Sequence, residues 1–332
     1  MNKRNVCRNN TDCLIYDREI KPYLPSRIFD AHTHLLINSH YPNIDSVPLA
    51  ADPLLGDVGM AYLEQWWRVL FPHASVNGLV MGFPSRGCNM PEINKYAAAH
   101  VASDNRFSLL VHPSMSTGTL EELILRYRPA GLKPYMVFAE VNDVQQAGIC
   151  DMIPEHQITL ADKYKLAVTL HVSKPRGMAD LQNLSDIRRL VEKYPECNFI
   201  LAHCGRCFIP PNMEDALKGL PVASNLWMDT SAVCDIGVFE LLFGGFDRSR
   251  ILFGTDLVTA SGIRGTYVRI GMQWQWVTSA QLTPVGKKPI EATFAAYENL
   301  CAMLYAAKFC KLKKVELENI FFNNASRLFK LY

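Results

Sequence analysis

The sequence lacks the roughly 18–20 uninterrupted apolar residues that a membrane-spanning helix needs, so no membrane partner is expected. Its first 27 residues are charged and have no apolar core of the kind a secretory signal requires. An excess of charge of one sign is also missing. Lys and Arg total 34 against 32 Asp and Glu, a formal charge of +2, which argues against an electrostatic nucleic-acid binder. No Gly/Ser linker, no solenoid-length repeat, and no GxSxG, Walker or GxGxxG pattern stands in a convincing context. The ten cysteines are scattered, and the CxxC spacing of Cys204 and Cys207 has no second pair to complete a zinc-finger motif. Cys197, Cys204 and Cys234 sit in apolar segments that read as buried, so we expect reduced thiols in a cytoplasmic protein.

What is present is an ordinary globular composition, 49% hydrophobic over 332 residues. A chain this long buries about three quarters of its unfolded surface and needs no disulfide staples. Short apolar runs recur at residues 28–34, 76–83, 107–112, 131–136, 166–171, 198–203, 226–231 and 251–256. They are nearly continuously apolar, as parallel strands buried on both faces should be. Helical patterns follow at 90–102, 120–127, 158–164, 184–194 and 235–243. Strands alternating with helices imply βαβ units, either a (β/α)8 TIM barrel or an open doubly wound sheet. The expected organisation is an N-terminal extension over 1–27, then a barrel with C-terminal helices over 28–332. Insertions follow the first and last strands. The first spans 35–75 and holds Pro42, Pro48, Pro53, Trp66, Trp67 and Phe71; the second spans 257–290 and holds Trp274 and Trp276. Their tryptophans are read either as lid residues suited to a planar substrate or as core.

Polar residues gather at the C-terminal ends of these runs: His32, His34, Lys133, His171, His203, Asp229 and Asp256. In a parallel barrel those ends meet on one face, where active sites lie. Burying such groups without partners costs several kcal/mol, and a metal ion is a common partner for all of them. His32 and His34, two apart on a strand, share a face and can chelate one cation. With His171, His203 and Asp256 they make the N/O donor set expected for Zn²⁺, Mn²⁺ or Fe²⁺.

The stretches FDAHTHLL, GLKPY, LHVS, FILAHCGR, WMDTSA, ILFGTDL and NIFFNNASRLFKL resemble the amidohydrolase superfamily, in particular its amidohydrolase-2 branch, from about residue 28 to the end. The resemblance implies a metal-dependent (β/α)8 barrel. His32, His34, His171 and Asp256 would hold the metal, Zn²⁺ foremost. His203 would be a second-metal ligand or a catalytic residue. Some members carry a strand-4 lysine that is carboxylated and bridges two metals. Lys133 occupies that place, but Pro134 and Tyr135 depart from the branch's G-x-K-x-H-P, so one ion is the expectation and two the alternative.

Two reactions are open. In the first, a metal-activated water attacks an amide or lactone bond of a small organic acid; Asp256 takes the proton and His203 polarises the carbonyl or steadies the oxyanion. In the second, a small aromatic or dienoic acid loses CO₂ without oxidation, with Asp256 or His203 managing the proton. A non-enzymatic metal-binding barrel would require loss of a site residue, and none is lost. Arg206 and Arg264, then Arg68, are the expected clamps for a substrate carboxylate, with Arg86 also in reach. Asp30 is expected to orient a ligand or cap a turn, Asp229 to support a ligand, and His112 to make a structural hydrogen bond. Barrels of this branch often pair, so a homodimer is expected on that analogy alone.

Overall fold

The computed structural model describes residues 6–44, 52, 54–102, 104–288 and 290–331; Pro48 and Pro53 of the first insertion lie outside the described residues. Eight parallel strands lie in sequence order: β1 Arg27–Leu35, β2 Ser75–Gly82, β3 Arg106–Leu110, β4 Gly131–Lys133, β5 Ala167–Leu170, β6 Asn198–Leu201, β7 Leu226–Asp229 and β8 Ile251–Leu252. Each expected run supplies one. The seam between β8 and β1 is stitched by the Ala31 N–H to the Phe253 carbonyl (2.8 Å), the Asp256 N–H to the His32 carbonyl (2.8 Å) and the His34 N–H to the Leu257 carbonyl (2.6 Å). The fold is therefore a nearly closed (β/α)8 barrel, and the open doubly wound sheet is excluded.

The connecting helices follow their apolar spacing. In Leu181–Lys193 the buried residues Leu184, Ile187, Leu190 and Val191 form one stripe, and the Asp180 side chain caps the first turn at the Gln182 N–H. Inside the barrel, Phe29, Ala31, Leu79, Met81, Ala167, Ile200, Trp227 and Leu252 form an apolar cluster with Phe322, Ala325 and Phe329 of the C-terminal helices. Arg27, the first residue of β1, lies over the Phe322 ring, and Asn324 bonds the Ile251 carbonyl at the start of β8. The C-terminal helices thus plug the N-terminal mouth and leave the other mouth for chemistry.

The N-terminal segment is not a loose extension. Val6, Tyr16 and Ile20 are buried in the apolar cluster that also holds helix Ala295–Phe309 residues such as Tyr297. Asp12, fully buried, receives Arg264 Nη1 and Nη2 (2.9 and 2.6 Å), the Thr293 hydroxyl (2.7 Å) and the Phe294 N–H (3.2 Å). It ties together both ends of the second insertion, which carries an antiparallel hairpin, β9 Gly265–Ile270 and β10 Gln273–Thr278. In the first insertion, Trp66 and Trp67 are buried core, 0% and 2% exposed, so they are not lid residues. No described helix is long and apolar enough to cross a membrane.

Breaking a buried ion pair strands the remaining charge. Arg264→Met should therefore cost about 3–5 kcal/mol of stability by chemical unfolding. A loss below about 1 kcal/mol, the level of a surface ion pair, would contradict this reading.

Candidate metal centre

Strict alternation from Phe29 and Ala31 would turn His32 and His34 away from the barrel interior. The register prevents this. Asp30 pairs with Gly78 but Thr33 with Val80, so β1 holds one extra residue between them. Such a bulge re-aims the side chains beyond it. Asp30 holds the bulge by accepting from the His32 N–H (3.3 Å), the Trp67 indole (3.0 Å), the Thr255 N–H (2.8 Å) and the Thr255 hydroxyl (2.6 Å).

His32 Nδ1 lies 2.8 Å from Asp229 Oδ2. A carboxylate only accepts, so the imidazole proton is on Nδ1 and Nε2 carries a bare lone pair. His34 lies between two acceptors, its Nδ1 3.3 Å from the Gly82 carbonyl and its Nε2 3.3 Å from Asp256 Oδ1; with its one proton on Nδ1, its Nε2 is bare. Both bare nitrogens approach one oxygen, Asp256 Oδ1, at 3.8 Å from His32 and 3.3 Å from His34. Acceptors converging in a buried space favour a cation; the Lys133 Nζ meets the His32 nitrogen at 3.2 Å, and the His34 and Asp256 atoms still face one another. His171 adds a buried Nδ1 with no hydrogen-bond partner, on the wall of the same cavity. The residues present fit a divalent metal.

Asp229 is the support that holds this set. Besides His32 it accepts from the His203 N–H (2.9 Å), the Ser231 N–H (3.1 Å) and the Ser231 hydroxyl. With its proton directed to Asp229, Ser231 Oγ accepts from His203 Nδ1 at 2.8 Å. The Ser231 carbonyl accepts from the same nitrogen at 3.3 Å. His203 therefore offers a bare Nε2, a proton acceptor. The expectation that it polarises a carbonyl would need a second proton, and burial opposes that by pushing its pKa down to about 4. Burial likewise lowers His32, His34 and His171. Burial works to raise Asp229 and Asp256, but the facing histidines outweigh it and hold both well below the usual carboxylate range.

After β6 the chain makes a left-handed turn. His203, Cys204, Gly205 and Arg206 have φ of 55°, 51°, 63° and 57°. Left-handed backbone costs roughly 1–2 kcal/mol per non-glycine residue, so the surroundings must impose it. The His203 N–H is held by Asp229, and Arg206 Nη1 donates to the Val172 carbonyl at 2.9 Å. A side chain on Gly205 would stand 2.3 Å from Met178 Sδ. The turn places His203 and Arg206 on one cavity wall.

That cavity, about 140 Å³, is lined by His32, His34, His171, His203 and Asp256, with Arg206, Tyr135, Phe208, Tyr267 and Trp274 among its other walls. Tyr267 and Trp274 come from the β9–β10 hairpin and pack on Phe208, at ring distances of 4.6 and 4.2 Å. Two of the expected clamps are not there. Arg264 is committed to Asp12, and Arg68 is 69% exposed on helix Met60–Leu70 near Glu64. Arg86 donates to the Val137 carbonyl and lines a separate groove with His112, whose Nδ1 is bonded to Ser114. Lys133 is buried, with Nζ 3.2 Å from His32 Nε2, and burial lowers it to about 8. All ten cysteines are unpaired; Cys197 and Cys204 are buried as expected and Cys234 is half-buried.

A family model described as Amidohydro_2, amidohydrolase, matches residues 30–331. The chain belongs to the amidohydrolase-2 family. No curated protein matches this amidohydrolase. Among solved structures it resembles 5-carboxyvanillate decarboxylase from Sphingomonas paucimobilis, at 14% identity and TM-score 0.57, covering 93% of this chain and 100% of that one. It resembles a probable 2-pyrone-4,6-dicarboxylic acid hydrolase from Acinetobacter baumannii, at 14% identity and TM-score 0.58, covering 91% and 99%. It also resembles 2,6-dihydroxybenzoate decarboxylase from Rhizobium, at 16% identity and TM-score 0.55, covering 92% and 98%. These likenesses establish the shared fold.

Ser231, Phe208 and Tyr267 were not singled out by sequence reasoning, and Tyr135 was noted only as a departure from the lysine motif. The spacing of Ser231 two residues after Asp229 is the one local trace of its role. Burial penalises the imidazolium of His203, so its protonation moves to lower pH. In the metal-free amidohydrolase its proton resonances should stay those of neutral imidazole through pH 5 and shift only near pH 4. Titration near the unperturbed value of about 6.5 would contradict the tautomer and burial argument.

Proposed function

We propose that this amidohydrolase uses one divalent metal, Zn²⁺ foremost and Mn²⁺ or Fe²⁺ as alternatives, to hydrolyse an amide or lactone bond of a small organic acid. His32, His34, His171 and Asp256 would hold the ion. The observation that carries the reading is the approach of two bare imidazole nitrogens to one oxygen of Asp256, at 3.8 and 3.3 Å. When bound, the ion supplies a Lewis acid and lowers the pKa of water beside it to about 7. Asp256, kept ionised by its neighbours, accepts the proton of the attacking water, and the Thr259 hydroxyl at 3.1 Å steadies its Oδ1. Asp256 passes that proton to the leaving group, and His203 Nε2 accepts the second proton of the attacking water as the product acid ionises. Arg206 pairs with the substrate carboxylate. One ion is favoured over two because Pro134 and Tyr135 depart from the family's G-x-K-x-H-P around Lys133; carboxylation of Lys133 is the route to two. A cytoplasmic setting fits the unpaired cysteines, and a homodimer is proposed by analogy with the family.

A second reading is non-oxidative decarboxylation of a small aromatic or dienoic acid. The aromatic wall of Phe208, Tyr267 and Trp274 favours it, because such faces stack on flat rings. Here His203 or Asp256 would take a proton from solvent water and pass it to the carbon that loses CO₂.

The two readings separate in one experiment on a panel of aryl lactones, aryl amides and ¹³C-carboxyl aromatic acids run in H₂¹⁸O. Hydrolysis predicts ¹⁸O in the product acid, and decarboxylation predicts ¹³CO₂. In either case Asp256→Asn should lower kcat by about 10²–10⁴. Full activity in that variant would refute the mechanism.

A further inference from the structure

We propose that the groove on the β2–β4 side of the barrel mouth is a leaving-group subsite that takes the uncharged, apolar N-substituent of an amide substrate. The proposal rests on the hydrolytic reading above and adds the half of the substrate that the inner cavity is too small to hold.

The cavity of about 140 Å³ has room for a small acid and little more. Beside it lies a groove of about 740 Å³, built from the loops that follow β2, β3 and β4. Loops after barrel strands all emerge on one face, so the groove and the cavity open on the same side. Two of these loops run from one space into the other. Pro84 lines the cavity and Arg86 the groove; Tyr135 lines the cavity and Val137 the groove. Two residues span at most about 7 Å of chain, so the spaces share a rim at two separate points. Arg86 Nε donates to the Val137 carbonyl at 3.1 Å and ties the two loops together there. The barrel sets the direction. In a ring of eight strands β2 lies opposite β6, so the rim at Pro84 faces the wall that carries His203 and Arg206. That opposite wall is backed by the packed rings of Phe208, Tyr267 and Trp274. A substrate with its acid group there and its amide bond at the histidine cluster extends its other end over the rim into the groove. The lining sets the chemistry of that end. Met90 and Phe138 are buried beneath the groove, and Met115, Val137 and Val141 are half-buried along it. Methionine walls adapt to apolar groups of differing shape. Arg86 and Glu140, both exposed and of opposite sign, leave neither charge favoured. On hydrolysis the acyl C–N bond breaks, the oxygen of water joins the acyl carbon, and the amine leaves with the proton passed on by Asp256. Hydrolysis thus supplies an occupant for the groove, and loss of CO₂ supplies none.

The test is calorimetric binding of N-methyl-, N-butyl- and N-hexylsuccinamate to metal-stripped protein, followed by turnover of the same series in H₂¹⁸O by metal-loaded protein. Affinity should rise about 2-fold per added methylene, or about 30-fold from methyl to hexyl, because an open groove recovers part of the full burial energy of each CH₂. Moving the chain to the acid half, as in 2-butylsuccinamate, should bring no gain. In the loaded enzyme KM should fall in the same order with little change in kcat, the mark of binding remote from the reacting bond. Met115→Asp and Val137→Asp, each placing a charge at a half-buried wall position, should flatten the methyl-to-hexyl rise to under about 3-fold in protein with unchanged circular dichroism. A flat series in the wild-type protein, or a rise that survives both variants, would overturn the subsite. Chain-length-dependent binding with no ¹⁸O incorporated from any amide or lactone of this series and the panel above would retire the hydrolytic reading and leave the groove standing as a binding site. Incorporation of ¹⁸O with a flat KM across the series would do the reverse.

Discussion

Asp229 accepts hydrogen bonds from His32 Nδ1, from the His203 and Ser231 amides and from the Ser231 hydroxyl, all of them out of water. A carboxylate buried in an apolar barrel must be satisfied this fully or be lost. In being satisfied it fixes two imidazoles. His32 is locked with its proton facing Asp229 and its lone pair facing Asp256 and Lys133. His203 is locked through Ser231, and its amide is pinned at the head of the left-handed turn. The packing of the histidine cluster, the orientation of His203 and the placement of Arg206 all descend from this one carboxylate. Its own low pKa follows from the same contacts, so the arrangement holds its charges through the physiological pH range.

The two insertions serve the same mouth by different means. The first sends Trp67 inward to hold Asp30 and so preserves the bulge that aims His32 and His34. The second builds a hairpin whose Tyr267 and Trp274 wall the cavity, and Asp12 clasps its base. The N-terminal segment, expected from the sequence as an extension, thus braces the roof of the site. Arg264 belongs to that brace. As a substrate clamp it would have had to break a bidentate pair with a buried acid.

Much of this was legible in the residues. Period and composition marked eight strands, and the polar residues at their ends marked the mouth, because both signals depend on local spacing. His32, His34, His171, His203 and Asp256 do line one cavity. What escaped depends on geometry beyond local spacing. Nothing in FDAHTH announces a bulge, since Asp30 acts through Thr255 and Trp67, remote in sequence. The left-handed turn leaves only Gly205 as a trace. Arginines were ranked by position in the chain, which cannot show that Arg68 points to solvent or that Arg264 meets Asp12. Trp66 and Trp67 had the composition of a lid and the burial of a core.

The central claim is that His32, His34, His171 and Asp256 surround a cation. Elemental analysis of the purified protein tests it most directly. Close to one Zn, Mn or Fe per chain, lost in His34→Ala while the far-ultraviolet circular dichroism is unchanged, is the predicted result. No bound metal, and none taken up on reconstitution, would contradict the ligand assignment and the chemistry built on it.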